Sequence, residues 1–334
     1  MSNQRIPFSH RLGRFALVGL FTASLLAFAP AHAQKWDMPM AYAESNYHTQ
    51  NGRTFAEAVK IASGGELDVV VHGGGSLFKG NEIKRAVQTG QAPIGERLLS
   101  AHQNENAVFG FDSLPFLVTT FEESEKLWQA ARPTIERILD DQNLVLLYSV
   151  PWPPQGLYFN KEITSVADMK GIKFRAYNSA TSRLAELAGM QPVQIEAAEL
   201  TQALSTGVAE AFVSSGSTGY DRKVWEQLGY FYEVNAWMPR NYVFVNKDSW
   251  NDLDESQRDV IKGLAMLAES AGKARAHQLA DWYVTQLAAN GMKVQMAQDS
   301  LRAELQAIGR TMLDEWLEST GEDGKAILDA YRSM

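Results

Sequence analysis

Short apolar runs alternate with segments of helical periodicity through the first two thirds of the chain, and this alternation restricts the fold most. Helical spacing over Thr54–Ala62 precedes the strand candidate Leu67–Val71, and Asn81–Thr89 precedes the extended stretch Ala92–Gly95. A period that switches between strand and helix is typical of strand–helix–strand units. We therefore predict an α/β fold with parallel sheets.

A proline-rich turn, Pro151-Trp152-Pro153-Pro154, interrupts this alternation in the middle of the chain. Proline cannot continue a central strand, so we expect the chain to change direction after the buried strand predicted at Val145–Val150. Strand-like and helical segments then resume at Lys173–Ala176 and Thr181–Ala188. An apolar content of 45% over this length can fill more than one core, so we predict two lobes.

We predict that residues 34–150 form mainly the first lobe and residues 151–240 mainly the second. Residues 241–334 are predicted to contain a crossing strand, a long helix and C-terminal helices that span both lobes. The long helix is the apolar-periodic stretch Asp254–Ala289, which we expect to brace the lobes despite Gly263 and Gly272. Ligands of such folds bind in a crevice at the carboxyl ends of strands, so we predict an interlobe ligand cleft.

Residues 1–33 have the three regions of a secretory signal peptide. Arg5, Arg11 and Arg14 precede the apolar run Phe15–Ala29, and Ala31-His32-Ala33 supplies a small-x-small cleavage site. The run is shorter than the ~20 residues that a spanning helix needs, which disfavours the alternative of an uncleaved anchor. We predict cleavage after Ala33 and a periplasmic mature protein.

The charge and the residue types exclude several classes of function. Removal of the three signal arginines would take the formal charge from −8 to −11, which disfavours nucleic acid as a partner. An anionic ligand would then need cationic groups concentrated in the cleft. The chain has no cysteine, its histidines lack metal-ligand spacing, and no phosphate-binding loop motif occurs, so we predict neither a metal nor a cofactor.

One run of residues suggests a hydrolase as a remote alternative. His72-Gly73-Gly74-Gly75 resembles the oxyanion-hole run of some esterases. No Gly-x-Ser-x-Gly nucleophile motif accompanies it, and glycines that permit a tight turn explain the run more simply. We therefore predict that the protein is not an enzyme.

Several ordered motifs resemble one family of receptors. They are Asp112-Ser113-Leu114-Pro115-Phe116-Leu117, Asp168-Met169-Lys170-Gly171-Ile172-Lys173-Phe174-Arg175, Leu187–Val193 and Gln202–Glu210. The chain is identified by them as similar to the extracytoplasmic solute receptors of tripartite ATP-independent periplasmic (TRAP) transporters. The resemblance implies two α/β lobes, a deep central cleft, a small organic acid as ligand and sodium-coupled import through separate membrane permease subunits.

Two residues of the central motif carry the predicted site. Arg175 stands where the family has its ligand-binding arginine, and a guanidinium can grip a carboxylate through two parallel hydrogen bonds. The alternative is an arginine in a structural ion pair. Asn178 matches another family ligand contact, although an N-cap ahead of Thr181 is an equal alternative.

The sequence departs from the family pattern at two positions. Ser214 stands where the family commonly has a ligand-contacting asparagine, so the site could be roomier there or bridged by water. Gln155 stands near a position where members that bind sialic acid carry another arginine, which argues against that ligand.

Aromatic residues suggest the character of the ligand. Trp152, Tyr42 and a cluster that includes Asn241 lie near the predicted lobe crossings, where aromatic walls suit an apolar or ring-bearing molecule; packing in the core is the alternative for each. Glu96 is predicted to face the cleft and Arg97 to face away, because strand residues alternate; a solvated Glu96 on the surface is an equal alternative. We favour an aromatic or bulky hydrophobic monocarboxylate as the ligand, with a sugar acid or a dicarboxylate as alternatives. A receptor of the same fold that reports to a sensor is a further alternative.

Overall fold

The computed structural model of the protein describes residues 33–334. The predicted signal peptide lies outside the described residues except for Ala33. Within the described part of the chain, no helix combines the length and the apolar character needed to cross a membrane.

The first lobe contains two small sheets that meet at a parallel bridge between Met40 and Glu96. One sheet pairs its two strands in parallel, and the other places a late strand antiparallel between two early ones. The strands are β1 (Gln34–Pro39), β2 (Leu67–His72), β3 (Ile94–Leu98), β4 (Leu144–Pro151) and the central β10 (Arg240–Asn246), and the helices are α1 (Tyr47–Ala62), α2 (Gly80–Gln88), α3 (Phe121–Asp141) and α7 (Lys247–Asn251).

The second lobe is built on one six-stranded sheet in the order β11-β9-β5-β8-β6-β7. Strands β6, β7 and β8 are parallel, whereas β5 runs antiparallel to both of its neighbours. The strands are β5 (Gln155–Phe159), β6 (Lys173–Ala176), β7 (Gln191–Gln194), β8 (Ala211–Ser215), β9 (Tyr230–Glu233) and β11 (Lys293–Met296), and the helices are α4 (Ser179–Leu187), α5 (Leu200–Ser205) and α6 (Gly216–Asp221).

The prediction of parallel sheets is therefore only partly right. Strands β5 and β10 are antiparallel to their neighbours because each begins where the chain has just crossed between the lobes. The crossing segments pair with each other: the amide of Trp152 donates to the carbonyl of Pro239 at 2.8 Å, and the amide of Gln155 donates to the carbonyl of Trp237 at 2.9 Å. These bonds fix the relative position of the two crossings at the base of the cleft.

Two long helical segments run along both lobes. Helix α8 (Glu255–Ala289) begins at the side-chain cap of Asp254 and packs on α1 and β4 of the first lobe and on α6 of the second. Gly272 permits that close packing, since a Cβ there would lie 2.5 Å from Val150 Cγ2. Segment α9 (Asp299–Arg332), interrupted by the left-handed Gly321, packs on α3 and α4.

Each lobe has its own apolar core. In the first lobe the core includes Trp36, Phe55 and Tyr148, and in the second it includes Phe159, Phe174 and Met169. Burial of each such side chain stabilises the fold by about 1.5–3 kcal/mol. With the cores on either side, the cleft between the lobes is left to polar and aromatic side chains.

Candidate ligand-binding site

A cavity lies between the lobes at the level of the crossing segments. It encloses about 440 Å³, part of which is open to solvent. Both lobes and both crossings contribute side chains to its wall, which consists of Tyr42, Arg97, Leu98, Trp152, Gln155, Arg175, Tyr177, Glu196, Ala197, Ser214, Thr218 and Pro239. Five of the eight predicted contacts, namely Arg175, Gln155, Trp152, Ser214 and Tyr42, are therefore brought together there.

Arg175 lies in β6, where alternation sends Phe174 into the core of the second lobe and the guanidinium into the cavity. The residue is 2% exposed. Its Nε donates to the carbonyl of Ile195 at 2.8 Å, which is the only hydrogen bond of this guanidinium within residues 33–334. The two terminal nitrogens are thus free to bind a ligand.

Burial lowers the pKa of Arg175 to about 10, and the nearby carboxylate of Glu196 opposes this shift. The group therefore remains a cation at neutral pH. The Tyr177 ring lies beside it, with the guanidinium carbon 5.4 Å from the ring centroid. A buried guanidinium whose terminal nitrogens have no hydrogen-bond partner among the described residues has the chemistry that suits a carboxylate.

Aromatic side chains form one wall of the cavity. The rings of Tyr42 and Trp152 meet edge to face with centroids 4.7 Å apart. Trp152 Nε1 donates to Asn241 Oδ1 at 2.8 Å, so the indole is held in one orientation. Desolvation raises the pKa of Tyr42 to about 12, which keeps its hydroxyl protonated and able to donate.

Gln155 and Ser214 supply neutral polar groups from adjacent strands. Strand β5 pairs with β8 so that Gly156 is opposite Ser214, one residue from Gln155. The Gln155 amide nitrogen donates to the carbonyl of Pro153 at 3.0 Å. The Gln155 oxygen accepts from the Tyr177 hydroxyl at 3.4 Å. This bonding orients the amide relative to the cavity.

The predicted orientation of β3 is wrong. Arg97 lines the cavity, whereas Glu96 faces the interior of the first lobe. There a Glu96 oxygen lies 3.2 Å from Nδ1 of His48, which belongs to α1. Side chains on β3 do alternate as expected, and both residues are buried, but His48 of α1 lies on the Glu96 face of the strand and the cavity on the Arg97 face. The sequence carries no direct signal of which face is which.

Two further predicted contacts do not line the cavity. The Asn178 carbonyl oxygen accepts from the Thr181 amide at 2.8 Å, and its nitrogen donates to Ser100 Oγ at 2.9 Å. It is therefore the N-cap of α4 and joins the lobes. Asn241 lies behind Trp152 and supports the indole. Direct ligand contact would require Asn178 to give up these bonds, whereas the amide nitrogen of Asn241 is buried and has no hydrogen-bond partner among the described residues.

Sequence reasoning missed several residues of the cavity. Tyr177 lies two positions after Arg175, a spacing that places both on one face of a strand and could have indicated it. Glu196 reaches Arg97 from the loop after β7. Thr218 and Pro239 carry no pattern in the sequence that marks them.

The run of glycines after β2 forms a turn. Gly74 and Gly75 have φ angles of 69° and 68°, in the left-handed region. Their amides donate to the carbonyls of Tyr42 and Met40 at 2.6 and 2.9 Å. Amides used in this way are not available to stabilise an oxyanion. Among residues 33–334 there is also no cluster of side chains suited to hold a metal ion.

Comparison with known proteins agrees with this geometry. The profile of the bacterial extracellular solute-binding proteins, family 7 (DctP), matches residues 40–320. A TRAP solute-binding protein from a marine metagenome, described as specific for pyroglutamate, is 57% identical; the match covers 91% of this chain and 100% of that one, with a TM-score of 0.90. DctP6 of Bordetella pertussis, described as an extracytoplasmic receptor binding pyroglutamic acid, is 46% identical over 90% and 100% of the two chains, with a TM-score of 0.89.

A third relative is more distant. A monocarboxylate 2-oxoacid-binding periplasmic protein of Nostoc is 23% identical, and the match covers 90% of this chain and 84% of that protein. The predictions of a two-lobe α/β fold, of a receptor rather than an enzyme, and of the TRAP class are confirmed. The chain belongs to family 7 of the bacterial extracellular solute-binding proteins, the DctP-type receptors of TRAP transporters.

Proposed function

We propose that this receptor captures a small cyclic monocarboxylate of the pyroglutamate type in the periplasm and delivers it to the membrane permease subunits of a TRAP transporter. This proposal rests on the buried guanidinium of Arg175, whose terminal nitrogens face the cavity without a hydrogen-bond partner among residues 33–334. A planar carboxylate supplies the two acceptors that such a fork needs.

The walls favour a compact ring over a bulky aromatic acid. Tyr42 and Trp152 already pack edge to face on each other, and Asn241 holds the indole in place. These rings offer an apolar surface to one side of a ligand and little freedom to move apart. Two receptors that are 57% and 46% identical to this chain are described as binding pyroglutamate. We therefore replace the aromatic preference derived from the sequence with a small lactam acid.

The ring of such an acid carries an amide as well as a carboxylate. Its N–H needs an acceptor and its carbonyl needs a donor, because an unpaired buried polar group costs about 1–3 kcal/mol. The cavity is lined by polar groups that can supply this acceptor and this donor, namely Gln155, Ser214, Thr218 and the Tyr42 hydroxyl. A sugar acid would bring several more hydroxyls than these groups can satisfy.

Capture would proceed by closure of the lobes around the ligand. Arg175 belongs to the second lobe, whereas Tyr42 and Arg97 belong to the first. Closure removes water from the ion pair and strengthens it. The ligand favours the closed state only to the extent that it binds that state better. The closed receptor is then the form for permease subunits to recognise.

Isothermal calorimetry tests the ligand. The mature chain, residues 34–334, would be unfolded and refolded to remove any bound ligand, then titrated with pyroglutamate, phenylpyruvate, glucuronate and malate. We expect the tightest binding with pyroglutamate. Tighter binding of phenylpyruvate, glucuronate or malate would refute the proposed class while leaving the receptor assignment intact.

Export to the periplasm rests on the predicted signal peptide. The family consists of extracellular solute-binding proteins, which agrees with export. Expression of the full chain in a bacterium and N-terminal sequencing of the periplasmic product should give Gln34 as the first residue. Retention of residues 1–33 on the membrane would support the anchor alternative instead.

A further inference from the structure

An ion pair crosses between the lobes at the edge of the cavity. Arg97 comes from β3 of the first lobe, and Glu196 follows β7 of the second. The two terminal nitrogens of Arg97 lie 2.9 and 3.3 Å from the two carboxylate oxygens of Glu196. The Arg97 side chain is 4% exposed and that of Glu196 is 30% exposed. This bidentate pair can form only when the lobes are together.

The first turn of α2 supports the same carboxylate. A Cβ added to Gly80 would lie 2.5 Å from Glu196 Oε2 and 2.6 Å from a terminal nitrogen of Arg97, so the pair packs directly on this turn. The N-terminus of a helix carries a partial positive charge and favours an anion nearby. Two separate features of the first lobe, the Arg97 guanidinium and the first turn of α2, thus contact the Glu196 side chain.

The charges in the wall of the cavity belong to Arg97, Arg175 and Glu196. Arg97 is neutralised by Glu196, whereas Arg175 has no carboxylate partner among the described residues. The wall therefore carries one surplus positive charge. That charge matches one ligand carboxylate and no more.

We propose that Glu196 is a specificity-determining residue: it occupies Arg97 and thereby restricts the cavity to singly charged acids. A dicarboxylate anchored at Arg175 would bring its second carboxylate toward Glu196, and like charges at short range oppose binding. Discrimination by a repulsive group is a common route to specificity. This inference rests on the proposed function, because it takes Arg175 as the anchor of the ligand.

The test uses two acids of the same shape and different charge. Glutarate is a dicarboxylate, and glutaramate, its monoamide, carries one carboxylate. Replacement Glu196→Gln removes the repulsion and frees Arg97 without changing the size of the side chain. We expect calorimetry to show affinity for glutarate at least about tenfold higher than that of the wild type, with a smaller change for glutaramate.

Two controls separate local charge from other causes. Glu199→Gln makes the same change in net charge on an exposed residue that does not line the cavity, and it should leave glutarate binding as in the wild type. The double variant Arg97→Gln/Glu196→Gln also lacks the repulsion but restores the net charge of the wall, so it should keep only the part of the gain that comes from lost repulsion. A gain as large as that of Glu196→Gln alone would show that freeing Arg97 contributes nothing and would overturn the claim that Glu196 acts by occupying Arg97.

The remaining outcomes are also decisive. If Glu196→Gln gains no affinity for glutarate, the charge rule is wrong even where pyroglutamate binds the wild type. If pyroglutamate fails to bind the wild type but Glu196→Gln gains affinity for glutarate, the role of Glu196 is supported and pyroglutamate is refuted as the ligand. Should Glu196→Gln not fold, as judged by its thermal melting curve, Glu196→Ala removes the same charge and carries the same expectation.

Discussion

Replacement of Arg175 by Gln tests the centre of the site. The substitution keeps a polar side chain of moderate length but removes the charge and the fork. Loss of one partner of a buried, hydrogen-bonded charge pair costs about 2–5 kcal/mol. Since about 1.4 kcal/mol corresponds to tenfold in affinity, we expect the dissociation constant for pyroglutamate to rise about 30-fold or more.

The structure predicts no matching loss in the stability of the folded Arg175→Gln variant. In the ligand-free protein the Arg175 guanidinium is desolvated, and burial lowers its pKa to about 10. Removal of a cation that is poorly compensated before the ligand arrives should leave the free energy of unfolding unchanged or raise it. A loss of affinity without a loss of stability therefore distinguishes a binding residue from a structural ion pair.

Calorimetry and urea denaturation of matched variants provide the measurement. Arg175→Lys keeps the charge without the planar fork, so its affinity should fall between those of wild type and Arg175→Gln. Arg183→Gln is the control, because Arg183 is 42% exposed and pairs at the surface with Glu315. It should bind as the wild type does. The reasoning would be refuted if Arg175→Gln bound pyroglutamate within threefold of the wild-type affinity. It would also be refuted if the free energy of unfolding fell by as much as the free energy of binding.

Three further predictions concern stability. Asn178→Ala removes a helix cap and should lower the free energy of unfolding by about 1 kcal/mol in urea melts, with a far smaller effect on pyroglutamate binding than Arg175→Gln has. Gly309→Ala should destabilise by about 1–3 kcal/mol in the same assay, because its Cβ would lie 2.4 Å from the carbonyl oxygen of Pro115, whereas Gly263→Ala, with open space around it, should stabilise by up to about 1 kcal/mol. Burial raises the pKa of Asp112 from 3.8 to about 7, so the native state holds this proton more tightly than the unfolded state does. The contribution of Asp112 to the free energy of unfolding is fully present below pH 3.8 and is lost as the pH rises to about 7. Asp112→Asn should therefore flatten the dependence of unfolding free energy on pH over that window. An unchanged dependence would contradict the raised pKa of Asp112.

Local sequence patterns predicted the helices and strands themselves better than the neighbours against which they pair and pack. The helix at Thr54–Ala62 and the strand at Leu67–Val71 lie within α1 and β2, since periodicity and glycine stops are properties of the segment itself. Strands β5 and β8 were not predicted. Each is buried along its whole length and so shows no alternation that a sequence could reveal.

The site shows the same division. Arg175 could be found from its motif, and Tyr177 from its spacing to Arg175. The ion pair between Arg97 and Glu196 joins residues 99 positions apart on different lobes, so only the tertiary structure brings it together. The side of β3 that faces the cleft also depends on packing with α1, which is why Glu96 and Arg97 exchange their predicted places.

The contacts across the cleft limit what the ligand must contribute to closure. Besides the Arg97–Glu196 pair, Asn178 donates to Ser100 Oγ at 2.9 Å across the lobes. Asn46, the cap of α1, donates to Asp221 at the end of α6 at 2.7 Å. Each such bond contributes about 0.5–1.5 kcal/mol to the closed state whether or not a ligand is present.

The ligand then has to supply only the remaining part of the free energy of closing, because it shifts the equilibrium by its differential affinity alone. Weakening of any of these contacts would lower the population of the closed state and so lower the apparent affinity without touching the ligand. On the proposed function, affinity is therefore divided between the cavity, where the charge and fork of Arg175 select the ligand, and the contacts between the lobes, which determine how readily the cavity closes.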